Sequence, residues 1–140
     1  MLLEKKDDKF MDEIKIFEEV VNIEDDMILL NGSIILLEKA ILKTKNIKIC
    51  VRTQEATNHN RPHVHVYYGE KSYLISIDSK CELLGNVKED KFYRYLVKNF
   101  FSENNLQQYR KGWNEYSNSC MKFIKGDNGL YSSDYQKISR

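Results

Sequence analysis

Apolar residues first recur at helical spacing: Phe10, Ile14, Phe17 and Val21, set among acidic and basic neighbours, predict an amphipathic helix over about 8–22. Met27 to Leu30 and Ser33 to Leu37 then flank Asn31-Gly32, a pair suited to the positive φ angles of a tight turn, which predicts a hairpin. A helix starting at Ser33 is the rival, since Ser33 could cap it and Ala40, Leu42 and Lys43 favour it. From Ile47 the period becomes two: Ile47, Ile49 and Val51 alternate with Lys48, Cys50 and Arg52. Thr53 to Arg61 is a polar loop, His63 to Tyr68 a second strand, Tyr73 to Asp78 a third and Cys81 to Leu84 a fourth, with short turns that imply an antiparallel meander.

After Gly85 the period lengthens again. Phe92, Tyr95, Leu96, Asn99 and Phe100 share one helical face that ends near Phe101, with Glu89 and Asp90 suited to its first turn. Ser102 caps a second helix carrying Leu106, Tyr109 and Trp113, and the two together predict a helical hairpin covering the sheet. Gly126-Asp127-Asn128-Gly129 marks a turn in a polar tail with scattered aromatics, Phe123, Tyr131 and Tyr135, which either docks late or stays mobile. The expected architecture is α+β: a small antiparallel sheet under a C-terminal two-helix hairpin, with an added N-terminal helix and hairpin. It divides into an extension (1–46), a core (47–118) and a tail (119–140).

A chain of 140 residues with 41% apolar and 31% charged positions fits one domain with a core of its own. Lys plus Arg number 22 against 21 Asp plus Glu, so no general basic coat for nucleic acid exists, although 1–46 carries −4 and 47–140 carries +5. The charged start and the lack of a long apolar run predict a soluble protein with no membrane partner. Cys50, Cys81 and Cys120 are odd in number and lack a CxxC pair, which suits a reducing cytoplasm.

The chemistry concentrates in His59-Asn60-Arg61-Pro62-His63-Val64-His65, which holds all 3 histidines. Strand alternation puts His63 and His65 on one face, with Val64 and Val66 on the other. His59 could fold back towards the pair, and Arg61 would sit at the same mouth, giving a cationic cluster in an open polar hollow. Three uses compete. Two imidazoles can act as general base and acid in phosphodiester cleavage, with His59 beside them and Arg61 steadying the developing charge, and need no cofactor. Alternatively His59, His63 and His65, with Asp78 or Glu82, could ligate a divalent metal such as zinc. In the third case the rings are structural, bonded to Tyr67, Tyr73 or the loop.

Other candidates are a stacking and anion-contact surface of Tyr67, Tyr68 and Tyr73 with Arg52 and Lys71, and a basic helix stripe of Lys91, Arg94 and Lys98, for which a solvated face is the commoner explanation. An exposed edge at His63–Tyr68 would permit a homodimer. Walker, GxSxG and zinc-finger patterns are missing from the sequence.

The run from Ile47 to about Tyr116 resembles the bacterial domain-of-unknown-function family 4160, marked by an HxxPPHFHV-like segment. The matching residues are His59, Arg61 to Val66, Ile75 to Asp78, Glu82 to Val87, and Trp113-Asn114-Glu115. Arg61 replaces the first of two prolines, Val64 the usual aromatic, and Asn99-Phe100 stands where a tryptophan is often found. The resemblance implies membership of small two-gene, toxin–antitoxin-like modules, hence a ribonuclease-like toxin or its protein partner. The expected function is therefore a small phosphodiester-processing protein acting on RNA or a nucleotide. The alternative is a non-catalytic module that binds or neutralises a protein partner, nucleotide or nucleic acid.

Overall fold

The computed structural model describes residues 26–30, 33–53, 61–85 and 87–138. The expected helix over 8–22, the Asn31-Gly32 turn and the loop bearing His59 lie outside the described residues. Five strands form one antiparallel sheet in sequence order: β1 (Asp26–Leu30), β2 (Ser33–Lys43), β3 (Ile47–Arg52), β4 (His63–Tyr68) and β5 (Lys71–Ser76). Two helices follow, α1 (Lys91–Phe100) and α2 (Glu103–Tyr116), and then a separate two-stranded sheet of β6 (Met121–Lys125) and β7 (Tyr131–Lys137).

The first hairpin forms as expected, and the rival helix from Ser33 does not. Ala40 and Leu42 pair instead with Cys50 and Ile49 across β3, past an irregularity at Ile41. The next turn is built on Gly69, whose φ of +59° supplies a left-handed conformation at no Cβ cost. The third meander strand begins and ends two residues earlier than expected. Asp78 belongs to the turn: its Oδ1 accepts from Ser76 Oγ at 2.9 Å and from the Lys80 amide at 3.0 Å. The fourth expected strand, Cys81 to Leu84, reduces to a single bridge between Ile75 and Leu83, because Cys81 takes φ +50° and bends the chain. β4 lies between β3 and β5, so it is no edge and offers no ladder for pairing two copies.

Helix ends follow the capping rules. Asp90 accepts from the Tyr93 amide at 2.7 Å and Ser102 from the Asn105 amide at 3.3 Å. At the junction of the helices Tyr109 donates its hydroxyl to the Phe100 carbonyl at 2.7 Å while its ring meets Phe101 edge-on. Phe92 of α1 packs on Tyr68 and Tyr73, and Leu106, Tyr109 and Trp113 of α2 are buried in one core with Ile47, Ile49, Val51, Val64, Val66 and Ile75. Gly112 lets α2 approach β2 closely: a Cβ there would stand 2.6 Å from Ile41 Cδ1.

The tail is ordered rather than loose. Asn114 of α2 donates to the Phe123 carbonyl at 3.0 Å and accepts its amide at 2.9 Å; Gln107 does the same with Tyr131 at 2.8 and 2.7 Å. Two side-chain amides thus copy the pairing of a neighbouring strand, one for β6 and one for β7. Trp113 Nε1 donates to the Met121 carbonyl at 2.7 Å. Replacing Asn114 by Ala removes both of its bonds and is expected to cost about 1–3 kcal/mol. Urea unfolding measures the loss, and amide exchange should quicken in β6 and β7 while β3, β4 and β5 stay protected.

Candidate functional site

β4 is covered on both faces. Its first four residues are buried, with Val64 and Val66 on the α2 core and His63 and His65 on the reverse. The imidazoles do project together as alternation requires, with ring centroids 5.2 Å apart at 62°. They do not open into a polar hollow: His63 is 0% and His65 4% exposed. The Trp113 ring lies 5.3 Å from His63, and Tyr67 stacks on His65 at 6.4 Å and 17°. Trp113 and Tyr67 thus flank the pair. His63 Nδ1 donates to the Arg61 carbonyl at 2.9 Å; a carbonyl can only accept, so this nitrogen carries the proton.

Arg61 turns its guanidinium to the end of β5. Its Nε donates to Asp78 at 2.8 Å and its Nη2 pairs with Glu82 at 2.6 Å, so both carboxylates named as metal ligands are engaged by one cation. Among the described residues no three of His, Cys, Asp and Glu gather to hold a metal ion. Asp78 feels opposing pulls. Burial raises its pKa, but the Arg61 hydrogen bond, the Lys80 amide and the Ser76 hydroxyl together outweigh burial and lower it. Arg61 is raised in turn, chiefly by Asp78.

A second polar cluster caps the other end of the same face. Tyr67 donates its hydroxyl to Glu38 Oε2 at 2.5 Å, Arg52 Nε meets that same oxygen at 3.1 Å, and Arg52 Nη2 reaches the Tyr67 hydroxyl at 3.4 Å. Burial, then the Glu38 bond, push the Tyr67 phenol up to about 12. Glu38 was not singled out from the sequence; it pairs with Arg52 across the β2–β3 ladder, a partnership readable only once that register is known.

The expected tyrosine surface does not assemble. Tyr67 lies opposite Ser72, whereas Tyr73 lies opposite Val66 and so points to the helix side, where it is 3% exposed and donates to Asp90 at 2.9 Å. Tyr68 joins it there against Phe92, and Lys71 is exposed at the start of β5. The structure brings Arg52 to Tyr67 but not to Tyr73. Lys91, Arg94 and Lys98 are exposed along α1. Cys50 and Cys81 are buried and Cys120 is partly so, all as free thiols. No helix among the described residues is long and apolar enough to cross a membrane.

This is an α+β protein distinguished by a buried two-histidine strand beside a tryptophan-bearing helix. Residues 46–114 match the family model described as Domain of unknown function (DUF4160), and through this segment the chain belongs to that family. The match begins just before β3 and ends one residue after Trp113. Neither the curated proteins nor the solved structures contain a match to the chain.

The lowered Asp78 pKa fixes a pH dependence. Its stabilisation is fully present above the ordinary carboxylate value of about 4 and is lost as pH falls through the lowered one. Urea unfolding across the acid range should therefore show an acid limb that flattens in Asp78→Asn. Tyr67 behaves oppositely: its neutral phenol stabilises the fold below about 10 and that contribution is lost as pH rises. Ultraviolet titration should show tyrosinate appearing near pH 12, where Tyr67 and Tyr73 both ionise, and Tyr67→Phe should reduce that step without abolishing it.

Proposed function

We propose that the chain is a non-catalytic binding module for a protein partner. The carrying observation is the enclosure of His63 and His65, which are 0% and 4% exposed. General acid–base cleavage needs both rings within hydrogen-bond reach of substrate, about 3 Å, and covered rings offer none. The Arg61 guanidinium, the expected anchor for a phosphate, is already neutralised by Asp78 and Glu82. A near-balanced charge of +1 gives little long-range attraction for a polyanion, which favours a protein over RNA. A partner from the same small two-gene module, as the resemblance implies, fits this reading. Exposed Ile124 and Leu130, flanking the turn between β6 and β7, supply apolar contact area of the kind protein interfaces use.

The test uses full-length chain incubated with single-stranded and hairpin RNA, with and without chelator, and tagged chain isolated from its source cells after ribonuclease treatment. The expected results are intact RNA and a stoichiometric protein complex that survives the ribonuclease. Cleavage by wild type that is lost in a folded His65→Gln variant would overturn the proposal in favour of the phosphodiester-processing alternative. A complex that dissolves on ribonuclease treatment would replace the protein partner by nucleic acid.

A further inference from the structure

A strand at the edge of a sheet turns a row of backbone amides and carbonyls outward, a ready template for a further strand unless something covers it. The outer side of β5 is covered by the chain itself: the Ser76 amide donates to the Glu82 carbonyl at 2.9 Å and the Leu84 amide to the Leu74 carbonyl at 2.8 Å. The outer side of β6 is covered by side chains. Ser119 Oγ accepts from the Met121 amide at 3.0 Å, Trp113 donates to the Met121 carbonyl, and Asn114 bonds both backbone groups of Phe123. On β7 the cover stops at Tyr131, whose amide and carbonyl are taken by Gln107.

Further along β7 the ladder itself sets the direction of each group. The Ile138 amide donates inward to the Cys120 carbonyl at 2.8 Å, so alternation turns the amides and carbonyls of Tyr135 and Lys137, opposite Phe123 and Met121, away from β6. Among the described residues nothing bonds these outward groups. The register shifts between Tyr131 and Tyr135, which confines the regular open edge to 135–137.

That short edge is complementary to itself. An antiparallel copy turned about Gln136 sets Tyr135 opposite Lys137 and Lys137 opposite Tyr135, each couple exchanging both backbone bonds. Gln136 then faces the Gln136 of the other copy, and an amide that both donates and accepts suits its own kind. Lys beside Tyr repeats a cross-strand contact the hairpin already makes, where Lys125 opposes Tyr131 with its ammonium 5.5 Å over the ring. A register turned about Asp134 would instead oppose two carboxylates. We infer that β7 is a dimerisation edge: a second copy of the chain adds antiparallel along 135–137 and joins the two β6–β7 hairpins into one continuous sheet about a two-fold axis. This edge lies at the end of the hairpin away from the turn flanked by Ile124 and Leu130, so the assignment is independent of the protein-partner proposal.

Sedimentation equilibrium of the purified full-length chain should show a reversible doubling of mass as concentration rises. The Tyr135 and Lys137 amides should exchange more slowly in the dimer, while the Gln136 and Ile138 amides, already turned to β6, keep their rates. Lys137→Pro removes only an outward amide, which edge strands tolerate, and by symmetry costs one bond from each copy. It should weaken the dimer at least about tenfold. Gln136→Glu, which sets like charges across the axis, should weaken it as well, with added salt restoring it. Lys98→Glu on α1 should leave dimerisation unchanged. A chain that stays monomeric up to millimolar concentration, a dimer whose Tyr135 and Lys137 amides exchange as fast as the monomer's, or dimerisation indifferent to Lys137→Pro in a folded protein would each overturn the assignment.

Discussion

A guanidinium that is 2% exposed must find its partners inside the protein, and Arg110 finds them on three elements at once. Its Nε donates to the Ile77 carbonyl at 2.8 Å just past β5, its Nη1 reaches Glu103 at 3.2 Å in the first turn of α2, and its carbon centre lies 5.7 Å from the Phe123 ring of β6. Leaving such a charge unpartnered costs about 3–5 kcal/mol. The demand to satisfy it fixes α2 between the large sheet and the small one. Once α2 is so placed, Trp113 falls against His63, Gly112 against Ile41, and Gln107 and Asn114 against the two strands of the tail.

The same demand explains why the histidine strand is closed. A strand end next to α2 cannot stay open when Trp113, itself 0% exposed, needs apolar cover and an acceptor for its indole N–H. Met121 supplies the acceptor and the His63 ring part of the cover. The His63 Nδ1, which carries the proton, meets the Arg61 carbonyl, and that bond offsets part of the cost of burying the imidazole. Pro62 contributes by ending the loop in an extended conformation and offering its carbonyl to the Ile77 amide at 3.2 Å.

Period-two and helical patterns were sufficient to locate β3, β4, α1 and α2, since each carries an uninterrupted apolar face and, for the helices, a capping Asp90 or Ser102. Alternation also placed His63 and His65 together. What it could not supply was whether that face was covered, because alternation says which side chains share a face and not what packs against it. The tail was illegible for a related reason. Gln107 and Asn114 hold β6 and β7 through backbone-like amide pairs, which leave no hydrophobic signature in the sequence. The rival helix at Ser33 lost because β2 gains a full ladder with β3, a non-local term that residue propensities do not contain.

Charge pairing separates structural from available groups more sharply than sequence position does. Arg61 and Arg52, the residues drawn from the sequence as anion contacts, sit where register brings carboxylates to them, Asp78 across a turn and Glu38 across a ladder. Each such pair is partly exposed and adds only about 0–1 kcal/mol, so their main effect is to fix orientation and cancel field.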